Sequence, residues 1–169
     1  MKKLQTLITI LLFGAVIYLW TDKPAEGAGF FLPQPDEKFV VGSDETTDIW
    51  KKYIDAHNDR NMDIILSMES DSLLIVDPAG TRISGKDQHK EALLGWFEAE
   101  DPKWNMYWAM PYKGVPGGAE WIIAGHSVTT TVDGKTVKQN HMIDAKINDG
   151  KVELFYVYAQ DNPEEETAE

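Results

Sequence analysis

Two Asp-Gly pairs, Asp133-Gly134 and Asp149-Gly150, divide the second half of this chain into runs of alternating side chains. Glycine readily takes the positive φ that a tight hairpin needs, so each pair predicts a turn between antiparallel strands. Four strands follow from the pattern. Trp104, Met106, Trp108 and Met110 alternate along the first, and Trp121 to Val132 forms the second. Lys135 to Ile147 is the third and Val152 to Gln160 the fourth. On the third strand, Val137, His141, Ile143, Ala145 and Ile147 share one face, because side chains alternate across a strand. An apolar sheet face of this size needs a cover, and the first half of the chain supplies one.

That cover is helical. Ile49, Trp50, Tyr53, Ile54 and His57 recur at helical spacing between Asp44 and Asn58, and Ser43 stands where an N-cap belongs. A short second helix is expected from Met62 to Glu69. Leu73, Ile75 and Asp77 then share one side of a strand. A third helix begins after Ser84, with His89, Ala92, Leu93, Trp96 and Phe97 as its buried stripe. The expected class is α+β: a cone-shaped, curved antiparallel sheet packed on three N-terminal helices. A bent sheet closed by helices leaves a conical cavity suited to a small molecule.

The ends read differently. Lys2 and Lys3 precede an apolar run from Leu7 to Trp20. Residues 1–20 are therefore expected to be an uncleaved signal anchor or a cleaved signal peptide, either of which sets the domain outside the cytoplasm. Membrane contact through residues 4–20 belongs to the same expectation. Residues 21–42, rich in Pro and Gly, read as a linker; 43–161 as the domain; and 162–169 as an acidic tail. The net charge of −12 disfavours nucleic acid as a partner. The chain has no cysteine, so disulfides and thiolate chemistry are excluded. The four histidines lack the close paired spacing of a metal motif, and no metal or other cofactor is expected.

Two short stretches carry candidate chemistry: Lys52-Tyr53-Ile54-Asp55-Ala56-His57-Asn58 and Val76-Asp77-Pro78-Ala79-Gly80. A phenol and a carboxylate facing one apolar cavity can perform acid–base chemistry on a small carbonyl compound. Their residues and spacing resemble the nuclear transport factor 2-like superfamily, which includes ketosteroid isomerases and SnoaL-like polyketide cyclases. The resemblance covers about residues 43–161. It implies that Tyr53 would hydrogen-bond a developing enolate oxygen and that Asp77 would shuttle the proton. The family's third residue, a protonated aspartate on a later strand, aligns with Ile143. Asp144, one residue on, faces the other way, and His141 is the nearest inward polar substitute.

Each candidate also has a plainer reading. Tyr53 fits a core aromatic, Asp77 a turn residue that accepts backbone N–H groups, and His141 a pocket-wall histidine. Trp50, His57, Trp96, Trp104, Trp108 and Ile143 are expected to line the pocket. The last strand is apolar on both faces, with Leu154, Tyr156 and Tyr158 opposite Phe155 and Val157, so a homodimer through the sheet is expected. Two function classes lead, ahead of a third in which the domain is an interaction module using its acidic surface and the dimer sheet. The first is an extracytoplasmic module that binds a small, largely apolar molecule without turning it over. The second is a cofactor-independent isomerase, dehydratase or cyclase using Asp77 as general base and Tyr53 as oxyanion donor.

Overall fold

A computed structural model describes residues 5–6, 8–13 and 26–162. The first helix, α1, spans Asp44–Asn58 and is capped by Ser43, whose hydroxyl accepts the Glu45 N–H. Asp44 and Glu45 in its first turn complement the helix dipole. Helix α2 (Met62–Met68) follows, capped by Asn61, and α3 covers Gly85–Glu100. The strands are β1 (Lys38–Val41), β2 (Glu69–Val76), β3 (Arg82–Ser84), β4 (Lys103–Val115), β5 (Glu120–Val132), β6 (Lys135–Asn148) and β7 (Lys151–Asp161). They form one curved, unclosed sheet in the order β1-β4-β5-β6-β7-β2-β3.

The α+β arrangement holds, with two corrections to the sheet. It is mixed rather than antiparallel, because β2 runs parallel to β7. Parallel neighbours need a long connection, and the seventy-odd residues between β2 and β7 provide it. Part of the expected linker is also structured. Lys38–Val41 pairs antiparallel with Tyr112–Val115, and Ala28 bridges Phe39 ahead of it.

The two Asp-Gly turns form as expected. Asp133 and Gly134 have φ of 51° and 75°, and Asp149 and Gly150 have 49° and 72°. That pair of positive values is the type I′ turn, which suits the twist of the flanking strands. The inward face of β5, undecided from the pattern, is Ile122, Ala124, His126, Val128 and Thr130. These pack with Ile143, Ala145 and Ile147 of β6 and with Trp50, Tyr53 and Ile54 of α1 to form the core.

Along β4 the alternation breaks. The β4–β5 register shifts between Met106 and Trp108, a β-bulge that inserts Tyr107. Trp104 and Met106 face the helices, but beyond the bulge the parity inverts and Ala109 and Pro111 take the inner face. Gly125 lies beneath the bulge. A Cβ there would come within 2.5 Å of Trp108 Nε1 and 2.7 Å of the Tyr107 ring, so the close approach requires glycine. At the start of β4, the Asn58 side chain pairs with the backbone of Trp104. Its amide donates to the Trp104 carbonyl (2.8 Å) and its oxygen accepts the Trp104 N–H (2.9 Å).

Residues 5–6 and 8–13 are helical and exposed. Most of the expected anchor, and all but Asn162 of the expected acidic tail, lie outside the described residues. No helix among the described residues is long and apolar enough to cross a membrane.

Candidate functional site

Between the helices and the concave sheet lies a cavity of about 410 Å³. Helix α1 contributes Trp50, Tyr53, Ile54 and His57, one apolar stripe at helical spacing. Helix α3 contributes His89, Ala92, Leu93 and Trp96. The sheet supplies Ile75, Trp104, Gln139, His141, Ile143, Phe155 and Val157, and the β2–β3 connection supplies Asp77 and Pro78. No lysine or arginine is among the lining residues.

Tyr53, Asp77 and His141 all line this cavity, as do Trp50, His57, Trp96, Trp104 and Ile143. Trp108 does not. The bulge turns it to the outer face, where it is 39% exposed. Asp144 is likewise directed away from the cavity, and its Oδ1 accepts the Tyr112 hydroxyl at 2.7 Å.

The hydrogen bonds connect these groups in a way the sequence pattern did not reveal. The Tyr53 hydroxyl donates to Glu69 Oε1 at 2.7 Å. His89 Nδ1 lies 2.6 Å from the same oxygen, so that nitrogen carries the hydrogen. Glu69 is 0% exposed, and its second oxygen, Oε2, has no hydrogen-bond partner. The sequence reading placed Glu69 at the end of a helix, where a charged residue is ordinarily solvated. It is instead the first residue of β2 and turns inward beneath α1 and α3. It has the same parity as Leu73 and Ile75, which was a usable signal. Asp71 has that parity too and is exposed, so the signal was ambiguous.

Asp77 sits in its own turn. Its Oδ1 accepts the Thr81 N–H at 2.7 Å, and its backbone N–H donates to the Thr81 carbonyl at 3.0 Å. The turn reading and the cavity reading of Asp77 therefore coexist. No hydrogen bond joins it to Tyr53.

The remaining histidines are electrically quiet. His57 Nδ1 donates to the Tyr53 carbonyl at 2.7 Å, leaving Nε2 as an acceptor. Burial lowers its pKa to about 3, with the nearby His89 and Arg60 adding to the fall. Burial also lowers His126 and His141 to about 4 each. His126 Nε2 accepts the Trp50 indole N–H at 3.2 Å, and His141 Nε2 donates to the Gln139 side-chain oxygen at 3.2 Å. The Tyr53 phenol is pushed well above its ordinary value by burial first and then by the Glu69 carboxylate. At neutral pH His57 and His141 thus present neutral imidazoles, and Tyr53 a neutral phenol, on an apolar wall. Among the described residues, no cluster of three or more His, Asp or Glu is arranged to hold a metal ion.

No protein-family model matches the sequence, and no curated protein matches it either. Solved structures do match in shape. A protein from a soil-derived mobile gene cassette superposes with a TM-score of 0.60 at 13% identity, covering 70% of this chain and 91% of that one. An LEH-like epoxide hydrolase from M. tuberculosis gives 0.57 at 15% identity, covering 69% and 83%. A protein of ketosteroid isomerase-like fold from Catenulispora acidiphila gives 0.57 at 11% identity, covering 67% and 85%. The chain has the nuclear transport factor 2-like fold that ketosteroid isomerase-like and SnoaL-like proteins share. At these identities the likeness concerns the fold, which hosts many unrelated functions.

Proposed function

We propose that this domain binds a small, largely apolar, uncharged molecule in the cavity between α1, α3 and the sheet. One observation carries the reading: a preformed cavity of about 410 Å³ with aromatic and aliphatic walls, a few hydrogen-bonding groups and no cationic Lys or Arg side chain. Such a composition is typical of small-molecule sites. The absence of Lys and Arg from the lining leaves an anionic ligand without a counter-charge. The test compares 2-naphthol with naphthalene-2-carboxylate by ligand-observed NMR at pH 7. Saturable binding of the naphthol, at least tenfold tighter than the carboxylate, is expected. Ala159→Trp, at the exposed rim of the cavity, abolishes it. No saturable binding of the naphthol, or binding unaffected by Ala159→Trp, overturns the reading.

A second reading is an enzyme of the isomerase, dehydratase or cyclase kind, with Asp77 as base and Tyr53 and His141 as oxyanion donors. Its support is that all three line one cavity. Against it, the Tyr53 proton is already held by Glu69 and one Asp77 oxygen by Thr81. In that scheme Asp77→Asn abolishes turnover while leaving folding intact.

The same proposal places the domain outside the cytoplasm, tethered by or exported through residues 4–20, and pairs two copies through the outer sheet face. Lys2 and Lys3 before the apolar run support the first part. Exposed Trp108, Met110 and Tyr158 support the second. Fractionation of cells and sedimentation of the purified domain check the two parts.

A further inference from the structure

Glu69, buried behind Tyr53 and His89 of the cavity wall, is used by neither function class. It is an acid with no exposed surface, placed against two hydrogen-bond donors, with one oxygen left unpartnered. Burying a carboxylate is costly, and a neutral glutamine would satisfy Tyr53 and His89 with the same geometry. The charge itself therefore calls for an explanation. His89 supplies one. Its Nδ1 is committed to Glu69, so Nε2 is the ring nitrogen free to act on the cavity that the ring lines. The other cavity histidines lack this backing: His57 rests on a backbone carbonyl and His141 on an amide oxygen. Only His89 has a carboxylate to stabilise an imidazolium as it forms.

We propose that His89 and Glu69 form a general-base couple, in which His89 Nε2 takes a proton from an apolar carbon acid bound in the cavity and Glu69 stabilises the resulting imidazolium. The inference rests on the binding reading above and adds a reaction class to it: proton abstraction from carbon next to an electron-withdrawing group. His89 is then the catalytic residue. Glu69 is the positioning residue, and Tyr53 fixes the carboxylate. Asp77 lines the same cavity, is held by Thr81 and takes no part in the couple.

The probe is 5-nitrobenzisoxazole, a neutral bicyclic carbon acid. Removal of its C3 proton by Nε2 forms the nitrile as the N–O bond breaks, and the electron pair leaves on the phenolate oxygen. The imidazolium then returns its proton to water. Binding is measured separately with 5-nitroindole, which has the same shape and no cleavable bond, by quenching of the cavity tryptophans. We expect turnover of the probe by the wild type. His89→Gln lowers kcat about 100-fold with 5-nitroindole affinity within twofold, a loss typical of removing a general base. Glu69→Gln keeps both acceptor contacts and loses only the charge, so it lowers kcat about tenfold with KM unchanged. Glu69→Asp recovers part of that loss. A Glu69 that is merely structural tolerates Gln with kcat intact, which refutes its role. Binding of 5-nitroindole without turnover of the probe overturns the couple and leaves the binding reading standing. So does turnover that survives His89→Gln but not Asp77→Asn. Failure of 5-nitroindole to bind the wild type overturns the binding reading itself.

Discussion

Tyr53→Phe isolates one hydrogen bond in a site with no exposed surface to blur its value. The ring stays, so no cavity opens and the contacts with Trp50, His57 and Phe155 are kept. What is lost is the 2.7 Å bond to Glu69 Oε1. A hydrogen bond to a charged group contributes about 1.5–3 kcal/mol, and Glu69 Oε2 has no other partner to take up the loss. We expect a destabilisation of about 2 kcal/mol. For a domain of this size that lowers the urea midpoint by about 1 M, read by far-ultraviolet circular dichroism and tryptophan fluorescence. The same substitution in a Glu69→Gln background breaks a neutral bond worth about 1 kcal/mol, so the coupling between the two sites is about 1 kcal/mol. Equal costs in both backgrounds, or a cost below about 0.5 kcal/mol for Tyr53→Phe alone, would refute a charged Glu69 hydrogen-bonded to this phenol.

Two further predictions concern the same core. The folded-state pKa values of His57, His126 and His141 are depressed to about 3, 4 and 4, below the ordinary 6.5. The unfolded chain therefore binds protons first. Stability is full well above pH 6.5 and falls as pH drops towards 4, by about 2 kcal/mol per ring and about 6 kcal/mol in all between pH 7.5 and 5. A flat urea midpoint across that window contradicts the burial of these rings as neutral species. Separately, Trp104→Ala empties a core site and costs about 3–5 kcal/mol, whereas Trp108→Ala on the outer face costs about 1 kcal/mol. Equal losses in thermal denaturation would show that the β4 bulge does not invert the strand.

Local signals carried most of the fold. Ser43 and the apolar spacing fixed α1 to the residue, and the two Asp-Gly pairs marked both hairpins. Three features were not legible. β1 has only four residues after a Pro- and Gly-rich stretch, and it exists because β4 offers it an edge. The bulge at Tyr107 inserts one residue, which a period-two reading passes over, so Trp108 was assigned to the wrong face. Glu69 looked like the charged end of a helix because its two partners lie 16 and 20 residues away in sequence, on α1 and α3. Of the expected site, the tyrosine, the aspartate and the histidine of β6 do share a cavity, since strand and helix parity place them there. Which hydrogen bonds they make depends on tertiary packing, and parity does not encode that.

The Asn58 amide that pairs with Trp104 has a consequence for how copies of this chain meet. The long outer edge of β4 is where an extended segment from another molecule would add as a further strand. That edge offers little continuous backbone. Asn58 occupies both peptide groups of Trp104, the bulge displaces Tyr107, Pro111 lacks an N–H, and β1 covers the remainder. The opposite border ends in β3, only three residues long. A foreign strand meets only short, interrupted stretches of ladder at these edges, which disfavours strand addition.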